Sequence, residues 1–202
     1  MEFSGDTISE AWELSITELL KCSEFVPSER GMKTIELCNV LFKIKHPDLE
    51  PKISSKYCFD KNFIEAYSEK MKEYWKSIKE RLFSYGKNNI NQINTILNTL
   101  NNCWYSRRTF VSTWDPNIDF NNSHPPCPVG LQFMIRNNQL NLTAFLRSND
   151  AWMCAIPDMI ELSKIQKEIS FMLGVDIGSY NQLSVSYHIY EPDLIYAKEV
   201  FV

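Results

Sequence analysis

The sequence lacks several things, and each lack narrows the field. No run of apolar residues is long enough to cross a membrane, so a transmembrane helix is not expected. The opening residues, MEFSGDT, are acidic and carry no apolar stretch of secretory type. Six cysteines occur, at 22, 38, 58, 103, 127 and 154, yet none stands in a C-x-x-C pair. The expectation is reduced thiols in a cytoplasmic protein. Positive charge is not in excess: 21 Lys and Arg face 25 Asp and Glu, giving −4, which argues against nucleic acid as a bulk partner. His46 has no second ligand candidate beside it, so no metal site is expected. Internal repeats and low-complexity linkers are absent.

What is present suits one folded domain over residues 1–202. Apolar residues make up 44% and charged residues 23%. Thr7 to Cys22 reads as a helix with Ile8, Trp12, Ile16, Leu19 and Leu20 on one face. Arg30-Gly31 lies on a loop before a strand from about Thr34 to Ile44, and His46-Pro47 ends that strand. Asp60 opens a long helical segment whose apolar face includes Phe63, Ile64, Tyr67, Met71, Tyr74 and Trp75, with Glu65 early in it. Ser84-Tyr85-Gly86-Lys87 breaks the pattern, and Asn91 to Leu100 resumes it.

SRRTFVSTWDP reads as a strand that starts with Arg107 and Arg108, whose side chains would point to opposite faces. Two alternating runs, Leu131 to Arg136 and Leu140 to Leu146, flank Asn137-Asn138 and predict a hairpin. Pro157-Asp158 then starts a helix closed by Gly174, and LSVSYHIYEPD forms a last strand. The fold class is α+β, with helices packed on a mostly antiparallel or mixed sheet.

Three residues of the stretch His124–Asp158 carry most of the proposed chemistry. Cys127 follows Pro125-Pro126, which stiffen the backbone that presents it. A cysteine acts as a nucleophile through its thiolate, and nearby arginines favour that form. Arg30, Arg107, Arg108 and Arg147 are the candidates for holding a phosphate, since guanidinium forks match phosphate oxygens. Taken singly, Cys127 reads as a buried structural cysteine, the arginines as surface charges, and Asp158 as a helix N-cap.

RRTFVSTWDP, HPPCPVGLQF, LRSNDAW and SYHIY together resemble the thymidylate synthase family, with ERGMKTIEL and SYGKN as weaker matches earlier in the chain. The family's register holds without a gap: Arg107 to Cys127 is 20 residues, Cys127 to Arg147 is 20, Arg147 to Asp158 is 11, and Asp158 to His188 is 30. The resemblance implies a thymidylate synthase-like fold and attack of Cys127 on C6 of a pyrimidine nucleotide. C5 then takes a one-carbon unit from 5,10-methylenetetrahydrofolate.

By the same resemblance, Arg147, Ser148 and Arg30 hold the 5′-phosphate. Arg107 and Arg108 reach it from the partner of a homodimer. His188 and Tyr190 bind the sugar hydroxyls, Asp150 contacts the pterin, and Tyr85 sits near the reacting ring. Glu65 is the candidate for the family's helix-borne glutamate.

The departures from the family pattern bear on the substrate. Asp158 stands where the synthases have asparagine, and Pro128 where they usually have histidine. Asparagine suits the N3–H and O4 of uracil, whereas a protonated carboxyl suits N3 and the amine of cytosine. Such a carboxyl needs a raised pKa, which burial supplies. Cys154 replaces a glycine, and the chain ends 12 residues after Tyr190; the expected consequence is a site more open to water, weak folate binding or no catalysis.

These features point to folate-dependent 5-hydroxymethylation of CMP or dCMP, as in the related cytidylate hydroxymethylases. The alternatives are a thymidylate synthase acting on dUMP and a non-catalytic nucleotide-binding protein on the same fold. Neither nucleic acid nor membrane is expected as a partner.

Overall fold

The computed structural model describes residues 1–57 and 72–202. The helix start predicted at Asp60 and the candidate Glu65 lie outside the described residues. Along the chain run β1 (Glu2–Gly5), α1 (Ile8–Leu19), β2 (Val26–Pro27) and β3 (Lys33–Ile44). Then come α2 (Lys72–Phe83), α3 (Gln92–Asn102), β4 (Phe110–Ser112) and the short α4 (Pro116–Asp119). They are followed by β5 (Pro128–Arg136), β6 (Gln139–Leu146), β7 (Asn149–Asp150), α5 (Ala155–Leu173), β8 (Asp176–Tyr190) and α6 (Leu194–Phe201).

The strands form one mixed sheet in the order β1-β3-β8-β6-β5-β4, with β2 added to β3 and β7 to β8. The pairs β3/β8, β5/β6 and β4/β5 are antiparallel, and β1/β3 and β6/β8 are parallel. This is the expected α+β arrangement. Two of its consequences matter for the site. β6 and β8 end on the same side of the sheet, and β3 and β5 begin there, because β3 runs against β8 and β5 against β6.

Local sequence explains the elements. Thr7 caps α1 in a capping box: its side chain accepts the Glu10 N–H at 3.2 Å, and Glu10 accepts the Thr7 N–H at 3.3 Å. The buried Trp12 donates its indole N–H to the Ala151 carbonyl at 2.8 Å, which pins α1 to the turn after β7. Phe201 of α6 packs edge-on against Trp12, with ring centres 5.5 Å apart. Asn137 and Asn138 take φ values of 52° and 60°, the left-handed pair that a two-residue hairpin requires. α5 stops at Gly174, which has φ 65°.

One expectation fails. Arg107 and Arg108 do not open a strand, because β4 begins only at Phe110. The Ser106 N–H donates to the Cys103 carbonyl at 3.0 Å, and the Ser106 hydroxyl accepts the Arg108 N–H at 3.2 Å. These bonds hold the arginines in a turn after α3. Among the described residues no helix is long and apolar enough to cross a membrane, and no cluster of metal-ligand type is found.

Candidate active site

Cys127 sits just before β5, where Pro128 and Gly130 shift the pairing with β6. Its backbone is tied on both sides. The Cys127 N–H donates to the Tyr74 hydroxyl of α2 at 2.9 Å. Its carbonyl accepts the Arg147 N–H, also at 2.9 Å. The Arg147 side chain continues the clamp, donating from Nε to Pro126 O at 3.0 Å and from Nη2 to Pro125 O at 2.8 Å.

Burial pushes the Cys127 thiol up to about 11, and the charge of Asp158 adds to the rise. The charge of Arg147, hydrogen bonding from Tyr74 and the charge of Arg30 act the other way. The sulfur therefore feels Asp158, Arg147, Tyr74 and Arg30 together, although these residues are far apart in sequence.

Asp158 lies in the first turn of α5, but its carboxyl does not cap the helix. The N-cap is Cys154, whose carbonyl accepts the Asp158 N–H at 2.8 Å. The buried Asp158 carboxyl instead accepts from Asn149 Nδ2 at Oδ2, at 2.9 Å. Burial, helped by the charge of Asp150, pushes its pKa up to about 8, and the Asn149 bond only partly offsets this. At neutral pH the protonated form predominates.

Behind Asp158 lies a buried polar chain. Asn149 Oδ1 accepts from Gln182 Nε2 at 3.1 Å, and Gln182 Oε1 accepts the Tyr180 hydroxyl at 2.7 Å. Gln182 Nε2 also donates to Ser184 Oγ at 3.0 Å.

His188 and Tyr190 end β8 with rings edge-on, their centres 5.0 Å apart. Burial lowers the His188 pKa, and its Nδ1 lies 3.2 Å from Ser186 Oγ. The Arg30 guanidinium lies 5.5 Å from the centre of the Tyr190 ring. Asp150 pairs with His188 across β7 and β8. One Asp150 oxygen accepts the N–H groups of Trp152 and Met153 at 3.1 and 3.0 Å. Burial nevertheless raises its pKa to about 6.

The structure thus gathers Cys127, Arg147, Asp158, Asp150, Arg30, His188 and Tyr190 at one end of the sheet, with Ser148 half-buried beside Arg147. Three other candidates stand differently. Arg107 and Arg108 are exposed and make no side-chain hydrogen bond or ion pair among the described residues. The Tyr85 hydroxyl donates to Trp114 O at 2.6 Å, and none of its hydrogen bonds reaches Cys127.

Sequence reasoning missed two contributors. Tyr74 reads as one more apolar-face residue of a helix, and only its hydroxyl hinted at more. Arg81 is not singled out by any motif. In fact it clamps the buried Asp119 carboxyl at 2.6 and 2.9 Å and donates to Thr113 O, tying α2 to the segment that leads to Cys127.

Residues 48–201 match the family profile described as thymidylate synthase. The chain belongs to the thymidylate synthase family. Among its curated relatives is a protein of Methanocaldococcus jannaschii that is 33% identical over 96% of this chain and 93% of its own length. One of Methanothermobacter marburgensis is 28% identical over 98% and 97%, and one of Methanopyrus kandleri is 26% identical over 94% and 93%. All three carry the name "Putative thymidylate synthase". Within the thymidylate synthase family, then, this chain combines a cysteine set between Pro126 and Pro128 with a buried carboxyl at 158.

Proposed function

We propose that the chain hydroxymethylates a cytidylate, CMP or dCMP, at C5. The observation that carries this reading is the buried Asp158 carboxyl, bonded to Asn149, with a pKa raised to about 8 and near enough to Cys127 to push its thiol up when ionised. A neutral carboxyl offers one donor and one acceptor, the pair that N3 and the amine of cytosine require.

The reaction belongs to the family's folate-dependent chemistry on pyrimidine nucleotides. Methylenetetrahydrofolate supplies the one-carbon unit. Cys127 adds to C6 as the thiolate, and the electron pair moves to C5, which becomes nucleophilic. Once C5 has taken the carbon, loss of the C5 proton expels tetrahydrofolate as the CH2–N bond breaks, and an exocyclic methylene remains on the pyrimidine. Water adds to it, Cys127 leaves, and the ring regains its double bond.

Arg147, Ser148 and Arg30 hold the phosphate, while Arg107 and Arg108, without a side-chain partner among the described residues, serve the site of a second copy in a homodimer. His188 and Tyr190 hold the sugar. Asp150 meets the pterin: one of its oxygens takes two backbone N–H groups, and a pterin N–H would complete the other. Tyr85 and Glu65 are assigned to the surroundings of the reacting ring.

Because the curated relatives carry the name of a thymidylate synthase, methylation of dUMP is the second reading. Product analysis by mass spectrometry separates the readings. The protein is incubated with methylenetetrahydrofolate and CMP, dCMP, UMP or dUMP in turn. A gain of CH2O on a cytidylate is expected, and a gain of CH2 on dUMP would overturn the reading. No product from any of the four, with nucleotide binding intact, would leave a binding protein on the same fold.

A further inference from the structure

We propose that the Tyr180 hydroxyl sets base selectivity from behind Asp158, by fixing the direction of an amide chain that ends on that carboxyl. The inference rests on the reading that Asp158 meets the base.

The chain is Tyr180, Gln182, Asn149, Asp158, joined by bonds of 2.7, 3.1 and 2.9 Å. All four residues are buried. Each amide has one donor end and one acceptor end, so the whole row can point one of two ways. In the direction observed, Tyr180 donates to Gln182, Gln182 to Asn149, and Asn149 to Asp158 Oδ2. The acid proton of Asp158 must then sit on Oδ1, which has no hydrogen-bond partner among the described residues. Oδ1 is thereby a donor, as N3 of cytosine requires.

With the row reversed, Asp158 Oδ2–H would donate to Asn149 Oδ1, and Asn149 Nδ2 to Gln182 Oε1. Gln182 Nε2 would then donate to the Tyr180 oxygen. Oδ1 would become an acceptor, as N3–H of uracil requires. The direction of the row therefore decides whether Oδ1 offers N3 of the base a proton or a lone pair.

Tyr180 breaks the tie. Its hydroxyl has a single partner among the described residues, Gln182 Oε1. Reversal would turn that oxygen into an acceptor and leave its buried proton with nowhere to go, which is costly. Ser184 Oγ, able to accept or donate, tolerates both directions. Tyr180 is therefore a positioning residue that acts through Gln182 and Asn149.

The test is calorimetric titration of dCMP and dUMP into the full chain and its Tyr180→Phe variant, with no folate present. Phenylalanine keeps the ring and removes the one group that objects to reversal. The expected result is a change of about tenfold in the affinity ratio, brought about by tighter dUMP binding. Gln182→Met, which cuts the row, should move the ratio the same way and covers a folding failure of the first variant. An equal loss of both affinities, or a ratio unchanged within about twofold, would overturn the proposal. If the wild-type chain prefers dUMP, the base assignment to Asp158 falls instead, and the row is still judged by whether Tyr180→Phe moves the ratio.

Discussion

Arg147 grips the segment carrying Cys127 at three carbonyls in succession. Its backbone N–H reaches Cys127 O, its Nε reaches Pro126 O, and its Nη2 reaches Pro125 O. One residue just past β6 thus fixes where Cys127 stands, besides its proposed work on the phosphate. Lysine cannot reproduce a planar fork with two separate donors. Arg147→Lys should therefore lower kcat/KM on the order of 100-fold even though the charge is kept. A loss under about threefold would mean that the charge alone matters.

Tyr74 accepts the Cys127 N–H and also helps the thiolate. Tyr74→Phe leaves that N–H without its acceptor, at a cost of about 1–3 kcal/mol in denaturant unfolding. Alkylation of Cys127 by iodoacetamide, followed by peptide mass mapping, should also slow at fixed pH, because a support of the thiolate is gone. Unchanged alkylation would remove Tyr74 from the site.

Asp158 should make stability depend on pH in a definite sense. Its folded pKa near 8 lies above the ordinary value of 3.8, so between those limits the folded chain keeps a proton that the unfolded chain releases. Stability from this group is full below about pH 4 and falls as pH rises towards 8. Asp158→Asn removes the dependence, so its Tm advantage over wild type should grow from pH 5 to pH 8. Parallel Tm curves would contradict the raised pKa. The same variant should lower the Cys127 pKa at alkaline pH, since the Asp158 charge there pushes it up.

Asp119 is fully covered, and Arg81 is bound to it at both oxygens. Asp119→Ala strands a largely buried cation and should cost about 3–5 kcal/mol in urea unfolding. A cost below about 1 kcal/mol would show that the pair behaves as a surface salt bridge.

Much of this fold could be read from local signals. Thr7 with Glu10, the alternation about Asn137-Asn138 and Gly174 after α5 each state their own structure. β1 could not be read, since four residues carry no period and only pairing with β3 makes them a strand. The TFVST run has strand-like composition, yet Ser106 turns the two arginines before it out of the sheet. Asp158 was the sharpest case. An aspartate near a helix start looks like a cap, and its real partner, Asn149, precedes the helix. Asn149 is itself held by Gln182, 33 residues further on. No window of sequence contains that chain of bonds.

The strand directions divide the molecule into a working end and a handling end. Every gathered candidate hangs from the ends of β6 and β8, from β7, or from the starts of β3, β5 and α5. The Asn137-Asn138 turn and Gly174 lie at the opposite rim, where Asp176 N–H meets Asn138 O at 3.1 Å. A dye, an affinity tag or a tether to a solid support placed at that turn would leave the gathered residues unobstructed. The same geography gives a would-be engineer a rim on which length can be added without touching the chemistry.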